Sequence, residues 1–447
     1  MQAKKRIVVL GGGFGGAYAL QKFGKKLGQL GGEAVLIDRN NYLLFDPLLI
    51  EAGVGAIEAR HVVIPTRKFL QGQGFLMAEV LGVDLKAQTV TYRIEGHSTV
   101  ETLPYDHLVI GLGSITKTPS VAGLLEHGFE MKTLGDAIGL RDRGIRLLEL
   151  ANTLTDSEKR RELLTCIVVG ANYTGVELAG EYHAFLREAA HAYPNVRPDE
   201  IRMFLLEYAD RILPAMSAKL ARWCSDTLTE RGVNIQLKTS LKEVAPDHAV
   251  TTAGEYIRTR TCVWAAGIAP NPLLVKIEGL PLNSHGYIDC EPDLRVKGFH
   301  NVWAVGDSAT VMGADGKPVP ATAQTASREG PRVAENIMAL FEGNPTKPFE
   351  HKPLGSFAAI GRRQAAANVF GLDITGFLGW ILYRGAYLVK MPSLGMKLRL
   401  LADWTTEMVF RNEPVQLGLR RGNRSGQSLS PEFEQVAVQE APTIYAK

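Results

Sequence analysis

At 447 residues, 45% of them hydrophobic, the chain exceeds what a single hydrophobic core organises and predicts two or three domains. Fifty basic against 47 acidic residues leave a net charge of +3, too slight for a global field that gathers nucleic acid, so any basic patch must be local. Four cysteines with no CxxC pair argue against a zinc or other metal site and a dithiol centre, and nowhere do ~18 uncharged apolar residues run together as a membrane-crossing helix requires.

The chain starts on a strand-like run, Lys5 and Arg6 followed by four apolar residues, which leads into glycines at 11, 13 and 16. That pattern describes a buried parallel strand turning sharply into a helix. Gly11 permits the tight turn, Gly13 lets a pyrophosphate approach the backbone, and Gly16 allows close helix-to-strand packing. The free N–H groups and positive dipole end of the helix then face the phosphates. An acid is expected about 20 residues on, at the end of the next strand, to hold ribose hydroxyls, and Asp38 stands there. The plain alternative is a structural turn without ligand, against which the strand, helix, second strand and terminal acid all weigh. No apolar signal region precedes the motif, which predicts a cytoplasmic protein.

Residues 41–49 are apolar but interrupted by Pro47, too irregular for strand or helix, and read as a core-lining loop or the wall of a ligand pocket. Residues 58–65 and the alternating runs through Tyr92 predict strands feeding the same sheet. Another buried strand, 105–110, ends in Gly111 and Gly113, where backbone again approaches something closely.

Charged residues 135–162, helical in character, connect to a second unit in which the opening pattern returns. A strand through Val169 meets Gly170, Asn172 and Gly175, a helix carries Glu177, and the next strand ends at Glu207. Asn172 stands where the middle glycine belongs. Asn tolerates glycine-like dihedrals, so the turn is expected to survive, with pyrophosphate slightly further out or bonded to the side chain. A carboxylate at Glu207 accepts bonds from both ribose hydroxyls and repels a 2′-phosphate, favouring NADH over NADPH; otherwise it is a solvated strand end.

Two further apolar runs, 262–267 and 301–306, end in glycine, and Cys166 and Cys262 sit inside such runs as inert core residues. Asp307 follows the second run at the carboxyl end of a strand, where α/β sheets bind ligands. It either caps the next helix or holds the ribityl hydroxyls of a flavin; its place after Gly306 and a Val-rich strand favours the flavin.

The two glycine turns, the segments Trp264 to Gly267 and Val305 to Asp307, and the run from Thr174 to Glu181 resemble the two-dinucleotide-domain flavoproteins. Within them the chain most resembles the type II NADH:quinone oxidoreductases, the non-proton-pumping respiratory NADH dehydrogenases. That likeness runs through Ala323 to Ala326, Gly376 to Trp380 and Lys397 to Trp404, and covers residues 5 to about 417. The glycine turns indicate only the superfamily; the Gln324 segment with the Trp380 helix narrows it to quinone reductases. The chain departs from the family at Arg328 and Glu329, where two glutamines are usual, which bears on the quinone site.

The resemblance implies non-covalent FAD at Gly11, Gly13, Gly16, Asp38 and Asp307, with NADH as co-substrate. It adds cofactor contacts at Phe14, Gly15, Val80, Gly113, Gly170, Asn172, Thr174, Gly175, Glu207, Ala266, Gly267 and Ala323. It also implies two catalytic residues, Glu177 reaching nicotinamide and flavin, and Gln324 against the isoalloxazine and quinone head. Apart from the resemblance, Glu177 is a first-turn carboxylate stabilised by the helix dipole and Gln324 a helix-initiating polar residue.

In residues 374–391, Trp380, Tyr383 and Tyr387 share a stripe with Arg384 and Lys390 beside it. A second helix, about 396–410, carries Leu398, Leu401, Trp404 and Met408 along one face, with Lys397 and Arg399 elsewhere. Alone, such stripes belong in a core or dimer interface; with the resemblance they predict monotopic binding to a phospholipid membrane surface. From Leu419 the tail is polar and glycine-rich and is expected to be disordered, its arginines near anionic lipid.

The expected architecture is α/β, with two Rossmann-like dinucleotide-binding domains and a C-terminal amphipathic helical region. Residues 1–118 and 270–345 form the FAD domain, 119–269 the NADH domain, and 346–418 the membrane-facing quinone region. The expected function is two-electron transfer from NADH through flavin to a membrane quinone, by a homodimer held peripherally on the cytoplasmic face of the cell membrane. Rival readings are a sulfide:quinone reductase, which needs redox cysteines near the flavin, and an NADPH-dependent reductase of a naphthoquinone intermediate, which Glu207 disfavours. A reading of another class is a flavin-containing binding protein that signals its redox state.

Overall fold

The computed structural model describes residues 4–313, 316–352, 355–410 and 413–418; the tail read as disordered lies outside them. Strand β1 (Lys5–Leu10) has no solvent exposure from Ile7 to Leu10, because both faces of its sheet are covered. The chain turns into α1 (Phe14–Gln29), which buries Leu20, Phe23 and Leu27 along one stripe, and returns as β2 (Gly32–Asp38). After the short α2 (Leu49–Gly53), β3 (Gly74–Asp84) lies parallel beside β2, with β4 (Thr89–Ile94) and β5 (Glu101–Pro104) antiparallel beyond it. Strand β6 (His107–Ile110) pairs on the other side of β1.

One expectation fails here. Residues 63–65 do not join this sheet but pair antiparallel with Tyr42–Leu44 in a two-stranded ribbon. The edge beside β2 is already taken by β3, and Pro65 has no N–H for a ladder. Residues 42–44 are accordingly a strand, although Pro47 ends it within a few residues.

The second sheet is wholly parallel, in the order β7 (Phe129–Glu130), β11 (Thr261–Trp264), β8 (Thr165–Val169), β9 (Arg202–Glu207), β10 (Val233–Leu237). Helices α3 (Leu134–Thr153), α4 (Tyr173–Ala189) and α5 (Ala218–Glu230) accompany it. The chain then returns to the first sheet with β12 (Val302–Ala304), which pairs with β6, and α6 (Ala323–Phe341) packs against α1. Gly330 makes that packing possible: a Cβ there would overlap the Gly15 carbonyl oxygen. Ion pairs Lys22–Glu335 and Lys26–Glu342, both 2.8 Å, flank the seam.

A three-stranded antiparallel sheet, β13 (Gly355–Ala359), β14 (Ala365–Val369) and β15 (Leu372–Thr375), carries the chain into α7 (Gly376–Lys390) and α8 (Leu394–Val409). Here the expected outward aromatic stripe turns inward. Trp380, Tyr383 and Trp404 are 5%, 2% and 4% exposed, and Arg384 is buried with them. The opposite face is the apolar exposed one: Phe377, Leu378, Ile381, Leu398, Leu401 and Met408 all face out. Large aromatics bury more area per residue than leucine, so the body of the protein takes them. No helix among the described residues is long and apolar enough to cross a membrane.

Candidate active site

The first turn is built by crowding on one side and openness on the other. Gly11, at φ +94°, lies so close to the Gly111 carbonyl that a Cβ would overlap it, and a Cβ on Gly16 would overlap the Gly11 carbonyl. At Gly15 a Cβ would stand 2.7 Å from Val305 Cγ2. At Gly13 it would meet nothing within 4 Å. That open space lies over the N-terminus of α1, whose first N–H groups have no side-chain cap, so the residues fit a pyrophosphate. Asp38 closes the turn: its Oδ2 accepts the Gly12 N–H at 2.6 Å and its Oδ1 the Asn40 N–H at 2.6 Å. Burial raises its pKa against those bonds.

The second turn repeats the arrangement. Gly170 sits at φ +96° against Ala266, and a Cβ on Gly175 would overlap the Gly170 carbonyl. Glu207 takes the part of Asp38, its Oε2 accepting the Ala171 N–H at 2.5 Å and its Oε1 the Ala209 N–H at 2.8 Å. Asn172 does not use glycine-like dihedrals: at φ −72° and ψ −171° it is extended, a conformation open to any residue. Its side chain is what the turn uses. Oδ1 accepts the Gly175 N–H at 3.1 Å and Nδ2 donates to the Ala265 carbonyl at 2.9 Å, which ties the cap to the strand beside it. Thr174 sits half-buried in the first turn of α4; Gly267, at φ +74°, accepts from the Lys117 N–H, and the Trp264 indole donates to the Ala266 carbonyl at 2.9 Å.

Asp307 follows Gly306, at φ +65°, in a single 3-10 turn after β12. Its Oδ2 accepts the Ser114 hydroxyl at 2.7 Å, and Lys132 Nζ reaches the same hydroxyl at 3.2 Å. Sequence reasoning missed Ser114 and Lys132, since nothing local marks a residue that reaches a loop nearly 200 positions away. Beneath Asp307, the Glu329 carboxyl is 4% exposed and its Oε2 accepts the Gly306 N–H at 2.6 Å. Burial pushes it up to about 7, against the Gly306 bond, with Asp307 adding to the rise. The neighbouring Arg328 instead turns outward, donating to the Lys352 carbonyl at 2.5 Å. Ala323 and Gln324 are half-buried in the first turn of α6, which Thr322 caps. Val80 is partly buried against the first core, and Gly113 stands at φ +67° with open space above it.

Glu177 lies one turn into α4, half-buried, and its Oε1 accepts the Ala359 N–H at 3.2 Å. Burial, and after it the carboxyls of Glu181 and Glu51, hold its pKa well above the usual carboxylate range against that bond. An aromatic chain joins this region to the first turn: Phe14 to Phe45 at 5.7 Å, Phe45 to Tyr387 at 6.0 Å, Tyr387 to Tyr383 at 4.9 Å between ring centroids. Residues 41–49 therefore supply core, through Phe45, along the route from α1 to α7. All four cysteines are free and buried, and burial raises the Cys262 thiol to about 12.

Residues 5–330 match the pyridine nucleotide-disulphide oxidoreductase family. The chain is 34% identical over 427 residues to the type II NADH:quinone oxidoreductase NdhA of Mycobacterium tuberculosis, covering 91% of this chain and 88% of that one. It is 30% identical over 423 residues to the demethylphylloquinone reductase NdbB of Synechocystis, covering 92% and 99%. In structure it is similar to NDH2 from Plasmodium falciparum solved in complex with NADH, with a TM-score of 0.85 over 92% of this chain and all of that one at 19% identity. The sequence likeness over nine-tenths of its length and the doubled acid-closed glycine turn place the chain in the family of type II NADH:quinone oxidoreductases.

Proposed function

We propose that the turn at Gly11, Gly13 and Gly16 holds the FAD pyrophosphate, with Asp38 on the adenosine ribose and Asp307 on the ribityl chain, and that the turn at Gly170, Asn172 and Gly175 holds NADH. The observation that carries this is the paired geometry of Asp38 with Gly12 and Glu207 with Ala171, which leaves each carboxylate holding its turn with lone pairs still free for ribose hydroxyls. When bound, the flavin supplies the two-electron chemistry between NADH and quinone. The protein's own residues supply position. Ser114 holds Asp307 in place, with Lys132 on the same hydroxyl, and Glu329 fixes the Gly306 amide before it. Glu177 and Gln324 are the residues offered to nicotinamide and to the quinone head. The domains follow as 1–118 with 270–345, 119–269, and 346–418.

The exposed apolar edge of α7 and α8 supports docking on the cytoplasmic membrane surface. Phe377, Leu378 and Ile381 on one helix and Leu394, Leu398 and Leu401 on the other are exposed together, and each CH₂ they bury in lipid is worth about 0.8 kcal/mol. A long-tailed quinone would meet the protein at that edge. We include a homodimer in the proposal on the family resemblance; its test is the mass in solution.

A second reading is reduction of a naphthoquinone intermediate with NADPH, and the likeness to a demethylphylloquinone reductase supports its quinone side alone. Glu207 opposes it, because a carboxylate at the ribose repels a 2′-phosphate. Steady-state oxidation of NADH and NADPH by the purified holoenzyme, with menaquinone and ubiquinone analogues and the flavin spectrum followed, tests both. Reduction of the flavin by NADH without turnover of any quinone would overturn the proposal.

A further inference from the structure

Four basic side chains from three elements converge at the end of the second sheet away from its glycine turn. His183 and Arg187 lie one turn apart on α4, Arg231 closes the C-terminus of α5, and Arg362 stands in the turn between β13 and β14. That turn rests on α4, where a Cβ on Gly361 would come within 2.6 Å of the Gly180 carbonyl oxygen. Arg231 ties α5 to it, its Nη1 donating to the Ile360 and Gly361 carbonyls at 2.6 and 2.9 Å and its Nη2 to Gln364 Oε1 at 2.6 Å. Arg362 is exposed and held at φ +51°, in the left-handed region that residues with a side chain seldom adopt.

His183 is 3% exposed, and its Nε2 is buried with no hydrogen-bond partner among the described residues. Burial, and after it the charges of Arg187, Arg362 and Arg231, push its pKa down to about 4, against a bond to the Ile201 backbone. Neither Arg187 nor Arg362 makes a hydrogen bond or ion pair among the described residues. Carboxylates approach the group only beside Arg231, from Glu181 and Glu230. Burial, with repulsion from Glu51 next, pushes Glu181 up to about 8, so it adds no charge near neutral pH. Cations that face one another with so little acid between them are stabilised by an anion. Room for one exists beside the imidazole. Gly232, exposed at φ +94°, would carry a Cβ that meets only His183 Cε1, at 3.9 Å, apart from its chain neighbours. Nε2 is the next atom of that ring.

We propose that His183, Arg187, Arg231 and Arg362 form a binding site for a phosphate group, which joins α4 and α5 to the C-terminal sheet. Guanidinium forks match the oxygens of a tetrahedral anion. The arriving anion reverses the field at His183, so the imidazole takes up a proton and its orphan Nε2 becomes a donor. The site lies at the amino ends of β9 and β10, which begin just after Ile201 and Gly232. Glu207 ends β9 six residues on, about 20 Å along the strand, so the site is separate from the nucleotide turn. The phosphate of a nucleotide and the free ion share this chemistry.

The test is calorimetric titration of the full-length, FAD-loaded enzyme, with NAD⁺ in excess to occupy the nucleotide turn, by sulfate and by inorganic phosphate. Sulfate holds no titrating proton near neutral pH, so any proton uptake on binding it belongs to the protein. Its affinity should rise as pH falls from about 8 towards 5, because the free imidazole is neutral down to about 4, and buffers of different ionisation enthalpy should register net uptake. Arg187→Gln with Arg362→Gln, both accessible to solvent, should weaken binding on the order of tenfold or more, with FAD content and flavin reduction by NADH unchanged. His183→Gln should bind more weakly and lose the pH dependence; should it misfold, the arginine pair carries the comparison. Displacement of bound phosphate by ATP assigns the phosphate to a nucleotide, its failure assigns it to the free ion, and the site stands in both cases. Sodium chloride at matched ionic strength should reproduce none of these heats. Sulfate that binds the double arginine variant as it binds the parent, or that binds the parent at no pH, would overturn the site.

Discussion

Gly13 and Asn172 hold the same backbone conformation, φ −71° and ψ −172° against φ −72° and ψ −171°, at the N-caps of the helices that follow the two glycine turns. One position needs the absence of a side chain and the other uses its side chain. At Gly13 a branched group would project into space that no protein atom fills, so Gly13→Val should fold and purify colourless, without FAD. Yellow protein with full flavin stoichiometry would refute the assignment. Asn172→Ala removes a cap and the bond to Ala265, and should lower stability to urea by about 1 kcal/mol, whereas Asn172→Gly should lower it by only a few tenths from the cap itself.

Glu207→Gln keeps an acceptor for one backbone amide but loses the charge. The ratio of kcat/KM for NADH over NADPH should fall on the order of tenfold, the equivalent of about 1.4 kcal/mol. Equal kcat/KM for the two nucleotides in the parent enzyme would rule out Glu207 as the selector.

Glu329 titrates at about 7, above the usual 4.5, so the folded chain holds a proton that the unfolded chain gives up first. Its contribution is intact below about pH 4.5 and is lost as pH rises through about 7. Glu329→Gln preserves an acceptor for the Gly306 amide and removes the titration. Urea unfolding should find the variant more stable than the parent by on the order of 1 to 3 kcal/mol above neutral pH, with the difference vanishing in acid. A constant difference across that range would show that Glu329 does not titrate there.

Gln324→Ala should slow flavin reoxidation by quinone more than flavin reduction by NADH in stopped flow. If the two half-reactions respond equally, Gln324 does no more than begin α6.

The membrane surface can be probed on the face that is exposed. Ile381→Glu with Leu401→Glu should release the holoenzyme from anionic liposomes in a flotation assay with FAD content unchanged. Trp380→Glu, by contrast, places a carboxylate at a 5% exposed position against Arg384 and should impair folding by several kcal/mol. Full-length protein that never floats would exclude lipid docking.

The sequence by itself determined the two dinucleotide turns, because their requirements are local: a buried apolar strand, glycines where backbone meets backbone, and an acid at the next strand's end. It also marked residues 41–49 as core or pocket wall. It misread Asn172, since an extended N-cap and a left-handed turn look alike when only residue types are seen. Tertiary structure alone decided the rest. Ser114 meets Asp307, and Glu51 meets Arg384, across 193 and 333 residues of chain, distances over which no periodicity reports. The faces of α7 and α8 were undecidable from their pattern, because both sides are apolar. Only the fit of Trp380, Tyr383 and Trp404 into the body of the protein left the leucine face outward, since burial favours the larger rings.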